Sequence, residues 1–197
     1  QLSTGRILVD NLQDAVFVAE KIMNYTLNQT PGLWQSKIAL IADDQYKTGT
    51  YNKVELEHSK NSNIIFNNLI DKLHPIPYYG TLYKAENSND GLIQSELSMN
   101  VIDIINSGVS LINYIGHGSP TTLSDEKIID MDRDLNRICP PNSSCAKELK
   151  LPIWVVGTCS FGAYDETQTM SEELQKHNAA AIAIITTTNN IGANTNY

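Results

Sequence analysis

Along this chain, apolar residues switch between helical spacing and short continuous runs. In residues 10–27 they fall at Ala15, Val18, Ala19, Ile22 and Met23, the spacing of one helix face. Pro31-Gly32 breaks the chain, and residues 37–42 (KIALIA) form a run of strand length. Residues 43–51 are polar and read as a loop. Helical spacing returns in residues 54–73, with Ile64, Ile65, Leu69, Ile70 and Leu73 on one stripe and Pro75 and Pro77 as the stop. Residues 78–83 suit a strand by their aromatic content. Residues 94–107 predict a third helix with Leu97, Val101, Ile104 and Ile105 inward, ended by Gly108. A strand follows at 109–115. Residues 116–152 are the least regular part, expected to hold loops and one short helix. The remainder predicts a strand at 153–156, a helix at 169–177 and a strand at 179–187.

Helix–strand alternation of this kind predicts right-handed βαβ units and an α/β fold around a mostly parallel sheet. Ligands of such sheets bind beyond the C-terminal strand ends. After residues 109–115 comes Gly116-His117-Gly118-Ser119. After 153–156 comes Gly157-Thr158-Cys159-Ser160-Phe161-Gly162. A His and a Cys therefore leave two strands at the same edge. A thiolate is the nucleophilic form of cysteine, and a neighbouring imidazole can take its proton and return it to a leaving amine. The glycines beside His117 allow close backbone approach to a substrate. The N–H groups of Gly118 and Cys159 are candidates for an oxyanion hole. Taken singly, Cys159 also reads as a small buried hydrophobe and His117 as a turn residue. It is their joint placement that favours chemistry.

Composition narrows the classes. The chain has 197 residues, with 22 acidic and 14 basic side chains and a net charge of −8. That offers no basic footprint for nucleic acid. Its apolar runs fall short of the ~18 residues a membrane helix needs. Charged residues are 18%, which argues against charge-driven disorder. The chain opens on Gln1 without a leader and reads as an excised piece. Its cysteines number 3. Cys139 and Cys145 sit in a polar, turn-rich stretch expected to be exposed. They suit either a small disulfide loop in an oxidising compartment or two separate thiols, and zinc spacing is lacking. Pairing them leaves Cys159.

At these residues the sequence resembles the gingipain-type cysteine peptidases, peptidase family C25. Residues 109–119 (VSLINYIGHGS) and 155–162 (VVGTCSFG) carry the likeness most specifically. Gly5-Arg6-Ile7 and residues 179–190 (AAAIAIITTTNN) add to it. The resemblance implies a caspase-like three-layer sandwich spanning residues 1–197, truncated at the C-terminal side of the catalytic region. It implies Cys159 as nucleophile and His117 as general base and acid. Gly157–Gly162 with Tyr164-Asp165, and Thr186–Thr188, look most like the PorU-type sortase branch of the type IX secretion system. That branch implies an exported enzyme at the cell surface or outer membrane. Its partners would be cargo proteins with C-terminal secretion signals, a lipopolysaccharide acceptor and other components of the secretion system.

Some positions depart from the family pattern. Where gingipains carry a His-Glu pair, this chain reads Glu57-His58-Ser59. Glu55 and Glu57 are both candidates for a third catalytic member, beside a bare Cys–His dyad. Glu86 is a weak candidate for the acid of a basic-residue pocket, which Ser119, Ser160 and Phe161 would line. No cofactor is expected. Calcium is known in family members, and Asp43, Asp44, Asp130, Asp132 and Asp134 offer suitable oxygens; a solvated acidic turn accounts for them as well. The leading reading is a sortase-type cysteine peptidase. The alternatives are a gingipain-like endopeptidase and a non-catalytic binding module on the same fold. A phosphate binder is disfavoured because Gly116-His117-Gly118-Ser119 lacks the lysine of a phosphate loop.

Overall fold

A computed structural model describes residues 5–47, 49–89, 91–140, 143, 145, 148–165 and 168–190. Asn11 caps the first helix, α1 (Leu12–Asn28), by accepting the Asp14 N–H at 2.9 Å. Strand β1 (Lys37–Ala42) follows, then a small hairpin of β2 (Tyr46–Lys47) and β3 (Thr50–Tyr51). A 3₁₀ turn, Lys53–Glu55, feeds α2 (Leu56–Leu69). Next come β4 (His74–Tyr79), a hairpin of β5 (Glu86–Ser88) and β6 (Gly91–Ile93), and α3 (Ser95–Ser107). Beyond β7 (Leu111–Ile115) lie the short pair β8 (Thr122–Leu123) and β9 (Ile129–Asp130), and one helical turn, α4 (Met131–Asp134). The last elements are β10 (Ile153–Gly157), α5 (Met170–Lys176) and β11 (Ala183–Thr186).

Five strands form one sheet in the order β11-β10-β7-β1-β4, and every pairing is parallel. Ala39 and Ile41, Ile112 and Tyr114, and Trp154 and Val156 share one face by register. They pack in a single cluster with Leu97, Val101 and Ile105 of α3 and with Met170 and Leu174 of α5. The right-handed crossovers send α2 to the opposite face, over β1, β4 and β7, where Leu40 is fully buried. This is the expected α/β sandwich.

Several details differ from the sequence expectation. The second helix ends at Leu69 rather than residue 73, and β4 starts at His74 with Pro75 and Pro77 inside it. A proline has no N–H for a ladder, but β4 is an edge strand, so it is tolerated there. The stripe on α2 is only partly buried, with Ile64 57% exposed. The last strand, expected over residues 179–187, spans only Ala183–Thr186 and lies at the other edge with Ile185 64% exposed. Cys139 and Cys145 are joined as a disulfide with Cα atoms 5.6 Å apart. They are not an exposed loop: Cys139 belongs to the core cluster and Cys145 packs against it. Among the described residues, no helix is long and apolar enough to cross a membrane.

Candidate active site

His117 follows the end of β7, and its backbone is held from three directions. Its N–H donates to Asp43 Oδ2 at 2.9 Å. Its carbonyl accepts the Tyr114 hydroxyl at 2.5 Å and the Ser124 N–H at 2.9 Å. Tyr114 is fully buried, and burial pushes its phenol well above the usual range, so it stays a donor. A Cβ on Gly116 would collide with Asp43 and lie 2.6 Å from the Tyr114 oxygen. Glycine is the residue that fits there.

The imidazole is held as firmly. Its Nε2 lies 2.8 Å from Glu55 Oε2. The other Glu55 oxygen accepts from Asn52 Nδ2 at 3.1 Å, while Asn52 Oδ1 caps the 3₁₀ turn at Val54 N–H. The acid is nearly buried, whereas the His117 side chain keeps 27% of its surface open. His58 stacks edge-on against His117, ring centroids 5.4 Å apart, with Nδ1 3.8 Å from Glu55 Oε2. Burial, then the nearby His117, lowers the His58 pKa and keeps that ring neutral.

Cys159 lies in the turn after β10, half-buried and outside the disulfide. Strands β7 and β10 are neighbours, with Ile115 paired to Gly157. His117 and Cys159 thus stand each two residues past one register pair. Their loops touch: the Gly116 N–H donates to the Gly157 carbonyl at 3.3 Å. A Cβ on Gly118 would lie 2.6 Å from Thr158 Oγ1 and 3.0 Å from the Thr122 carbonyl. Ser160, next to the thiol, has φ of +52°, a left-handed conformation that costs a non-glycine residue. Below this edge is a cavity of about 420 Å³ lined by Asn61, Ile64, Ile65, Asn113, Tyr114, Ile115, Val155 and Gly157. None of these residues is charged.

The whole chain, residues 1–197, matches Peptidase family C25. The chain belongs to peptidase family C25. No curated protein matches it. Three solved structures share its fold. One is the Arg-specific cysteine proteinase gingipain R, at 21% identity and TM-score 0.70, over 95% of this chain and 40% of that one. Another is the complex of the pro- and mature domains of RgpB from Porphyromonas gingivalis, at 21% and 0.66, over 95% and 41%. The third is described as a protease, at 17% and 0.64, over 96% and 37%. The chain spans about two fifths of the length of the gingipain chains it matches.

Within this C25 chain the remaining expected residues divide. Glu55 meets His117, but Glu57 points outward and pairs with Lys60. Phe161 does not line a pocket: it is 0% exposed and part of the core. Ser119 closes its own turn, bonding Thr122 Oγ1 at 2.8 Å and accepting the Thr121 and Thr122 N–H groups. Ser160 donates to Asn190 Oδ1 at 3.0 Å. Glu86 is exposed on the β5–β6 hairpin, 3.5 Å from Ser95 Oγ. Asp130 caps α4, and Asp134 is buried between Arg133 and Arg137, so that stretch is neither a solvated turn nor a calcium loop.

Asp43 and Asp44 are also not in a solvated loop. Both are buried, with Glu126 beside them. Burial raises all three carboxyl groups: Asp43 well above the usual range, Glu126 to about 7. His58, Tyr114, Gln94 and Glu126 were missed by sequence reasoning. His58 was visible as an acid-flanked histidine, but nothing local marked the other three.

Proposed function

We propose that this chain carries the catalytic centre of a cysteine peptidase, with Cys159 as nucleophile, His117 as general base and acid, and Glu55 as the group that orients the imidazole. The observation that carries the reading is the 2.8 Å contact of Glu55 with His117 Nε2 at the strand edge from which Cys159 also emerges. That contact holds the proton on Nε2 and leaves the Nδ1 lone pair to take the thiol proton. The thiolate attacks the substrate carbonyl, and Gly118 and Cys159 N–H groups stabilise the oxyanion. Collapse expels the amine, which takes the proton back from His117, and leaves a thioester on Cys159. Water hydrolyses that thioester, or an amine intercepts it.

The uncharged cavity under Ile115 and Gly157 supports a substrate with an uncharged side chain beside the scissile bond. A basic-residue endopeptidase needs an acid there. The likeness of Gly157–Gly162 and Thr186–Thr188 to the PorU-type branch supports a sortase role: removal of C-terminal secretion signals from cargo, with transfer to a lipopolysaccharide amine. The disulfide supports export to an oxidising location such as the cell surface.

Covalent labelling tests this reading. The chain is treated with two peptidyl acyloxymethyl ketones, one carrying leucine and one arginine beside the warhead, and read by intact-mass spectrometry. The expected result is one adduct on Cys159, formed faster with leucine and lost in His117→Ala. No adduct contradicts the peptidase reading, and faster arginine labelling contradicts the uncharged pocket. Competition between water and an added amine for the thioester of a cleaved peptide tests the transfer step.

A further inference from the structure

We propose that Glu55, His58 and His117 form a binding site for a zinc ion, and that zinc seated there switches the peptidase off. The switching half rests on the peptidase reading above; the binding half does not. One ligand atom from each of the three residues lies within 4.8 Å of the others. Glu55 Oε2 stands at the centre, with His117 Nε2 at 2.8 Å and His58 Nδ1 at 3.8 Å.

The independent observation is His58. A Cys–His pair oriented by Glu55 needs no second histidine, yet this one is 5% exposed. Its Nδ1 is buried and has no hydrogen-bond partner. At 3.8 Å from Glu55 Oε2 that nitrogen is directed into the cluster, but it is too far away for a hydrogen bond. A buried polar atom left unpaired costs free energy, and a bond to a metal offsets that cost. The local fold places both residues for this. Glu55, with helical φ of −65° and ψ of −22°, precedes His58 by three residues at the start of α2. That spacing puts a Glu and a His on one helix face, where helices present them to a shared metal.

The donor chemistry selects the ion. Two imidazoles and a carboxylate are a ligand set with which proteins hold zinc while keeping a fourth position open. Calcium and magnesium favour oxygen donors. The two rings cross at 88° with centroids 5.4 Å apart, so their nitrogens approach one oxygen in different planes. Bonds of ~2.0–2.1 Å at tetrahedral angles put ligand atoms about 3.3–3.4 Å apart. The observed 2.8 and 3.8 Å fall on either side of that separation. The His117 side chain keeps 27% of its surface open, which gives the ion its way in.

The consequence for His117 follows from its two nitrogens. Zinc on Nε2 takes the lone pair there. The neutral ring then carries its proton on Nδ1, and no lone pair remains to accept the Cys159 proton. No covalent bond of the chain changes, so chelating the zinc restores the base.

The test uses the 197-residue chain without an added histidine tag, stripped with EDTA and dialysed. Zinc chloride alone is titrated by calorimetry into Cys159→Ser, where the thiol contributes nothing. The expected result is one zinc per chain. Adding His58→Leu or His58→Gln, each checked by circular dichroism, is expected to weaken zinc about tenfold or more. His74→Gln, at the opposite end of the sheet, leaves binding unchanged, and magnesium chloride gives no heat that depends on His58. With Cys159 present, zinc is expected to slow labelling by the leucine ketone about tenfold or more, EDTA to restore it, and His58→Leu or His58→Gln to resist the slowing. No heat in Cys159→Ser overturns the site, as does unchanged zinc affinity in both folded His58 variants. Slowing of the same size with and without His58 overturns the switch. A parent chain that the ketone never labels contradicts the peptidase reading, and the calorimetry still decides the site.

Discussion

A single glutamate and a cluster of three acids flank His117, yet they meet their charge differently. On the imidazole side, Glu55 meets nitrogen: Asn52 on one oxygen, His117 on the other, and His58 within 3.8 Å. On the backbone side, Asp43, Asp44 and Glu126 crowd together, joined by an amide whose carbonyl is unpaired. A buried acid beside a histidine orients it and stabilises the imidazolium that forms during proton transfer. A buried acid beside other acids must keep its proton or take up a cation. One loop thus separates a proton-handling side from a charge-concentrating side. Asp43 links them through its bond to the His117 N–H.

The contrast is broken most severely from the imidazole side. His117→Ala removes the proposed base and is expected to lower kcat/KM toward a cleavable peptide by about 10³-fold or more. Glu55→Gln keeps the shape and allows a hydrogen bond, but not the charge that stabilises the imidazolium. A smaller loss of about 10²–10³-fold in kcat is expected, with KM little changed. Gly116→Ala strikes the junction, because its new Cβ meets both Asp43 and the Tyr114 hydroxyl. It is expected to destabilise by about 1–3 kcal/mol in denaturant melts. The oxygen-only side is sharpened by pH. Burial raises Glu126 to about 7, above its ordinary value near 4.5. The folded chain then holds more protons than the unfolded one between those values, so in EDTA stability falls as pH rises from about 4.5 to about 7. Glu126→Gln is expected to flatten that slope. The smallest effect belongs to Glu57→Gln, whose exposed pair with Lys60 contributes less than about 1 kcal/mol, and kcat is expected to stay within twofold.

The sequence made the strand ends legible, because KIALIA is apolar and the runs before His117 and Cys159 end on Gly116 and Gly157. It did not distinguish Glu55 from Glu57. Residues two apart on a helix point about 200° from one another, so only the placement of the turn tells which faces His117. The acidic cluster was read as a loop because Asp43 and Asp44 are polar locally. What buries them, Gly80 and Gln94, comes from 36 to 51 residues further along the chain and is brought there by the β4 and α3 crossovers. Phe161 looked like a pocket residue by its nearness to Cys159, but the turn at Ser160 swings it into the core. The prolines of β4 argued against a strand until the strand proved to be an edge. Local pattern thus located the strand ends that carry His117 and Cys159, and long-range packing decided which acid meets His117.

The most direct measurement is the rate of iodoacetamide reaction at Cys159 as a function of pH, in the parent chain, His117→Ala and Glu55→Gln. The account expects the parent to react fastest, because an imidazole held by Glu55 takes the thiol proton. His117→Ala should slow the reaction at neutral pH by about tenfold or more, and Glu55→Gln should slow it part of the way. Three superimposed profiles would contradict the assignment of Cys159, His117 and Glu55 as one catalytic unit.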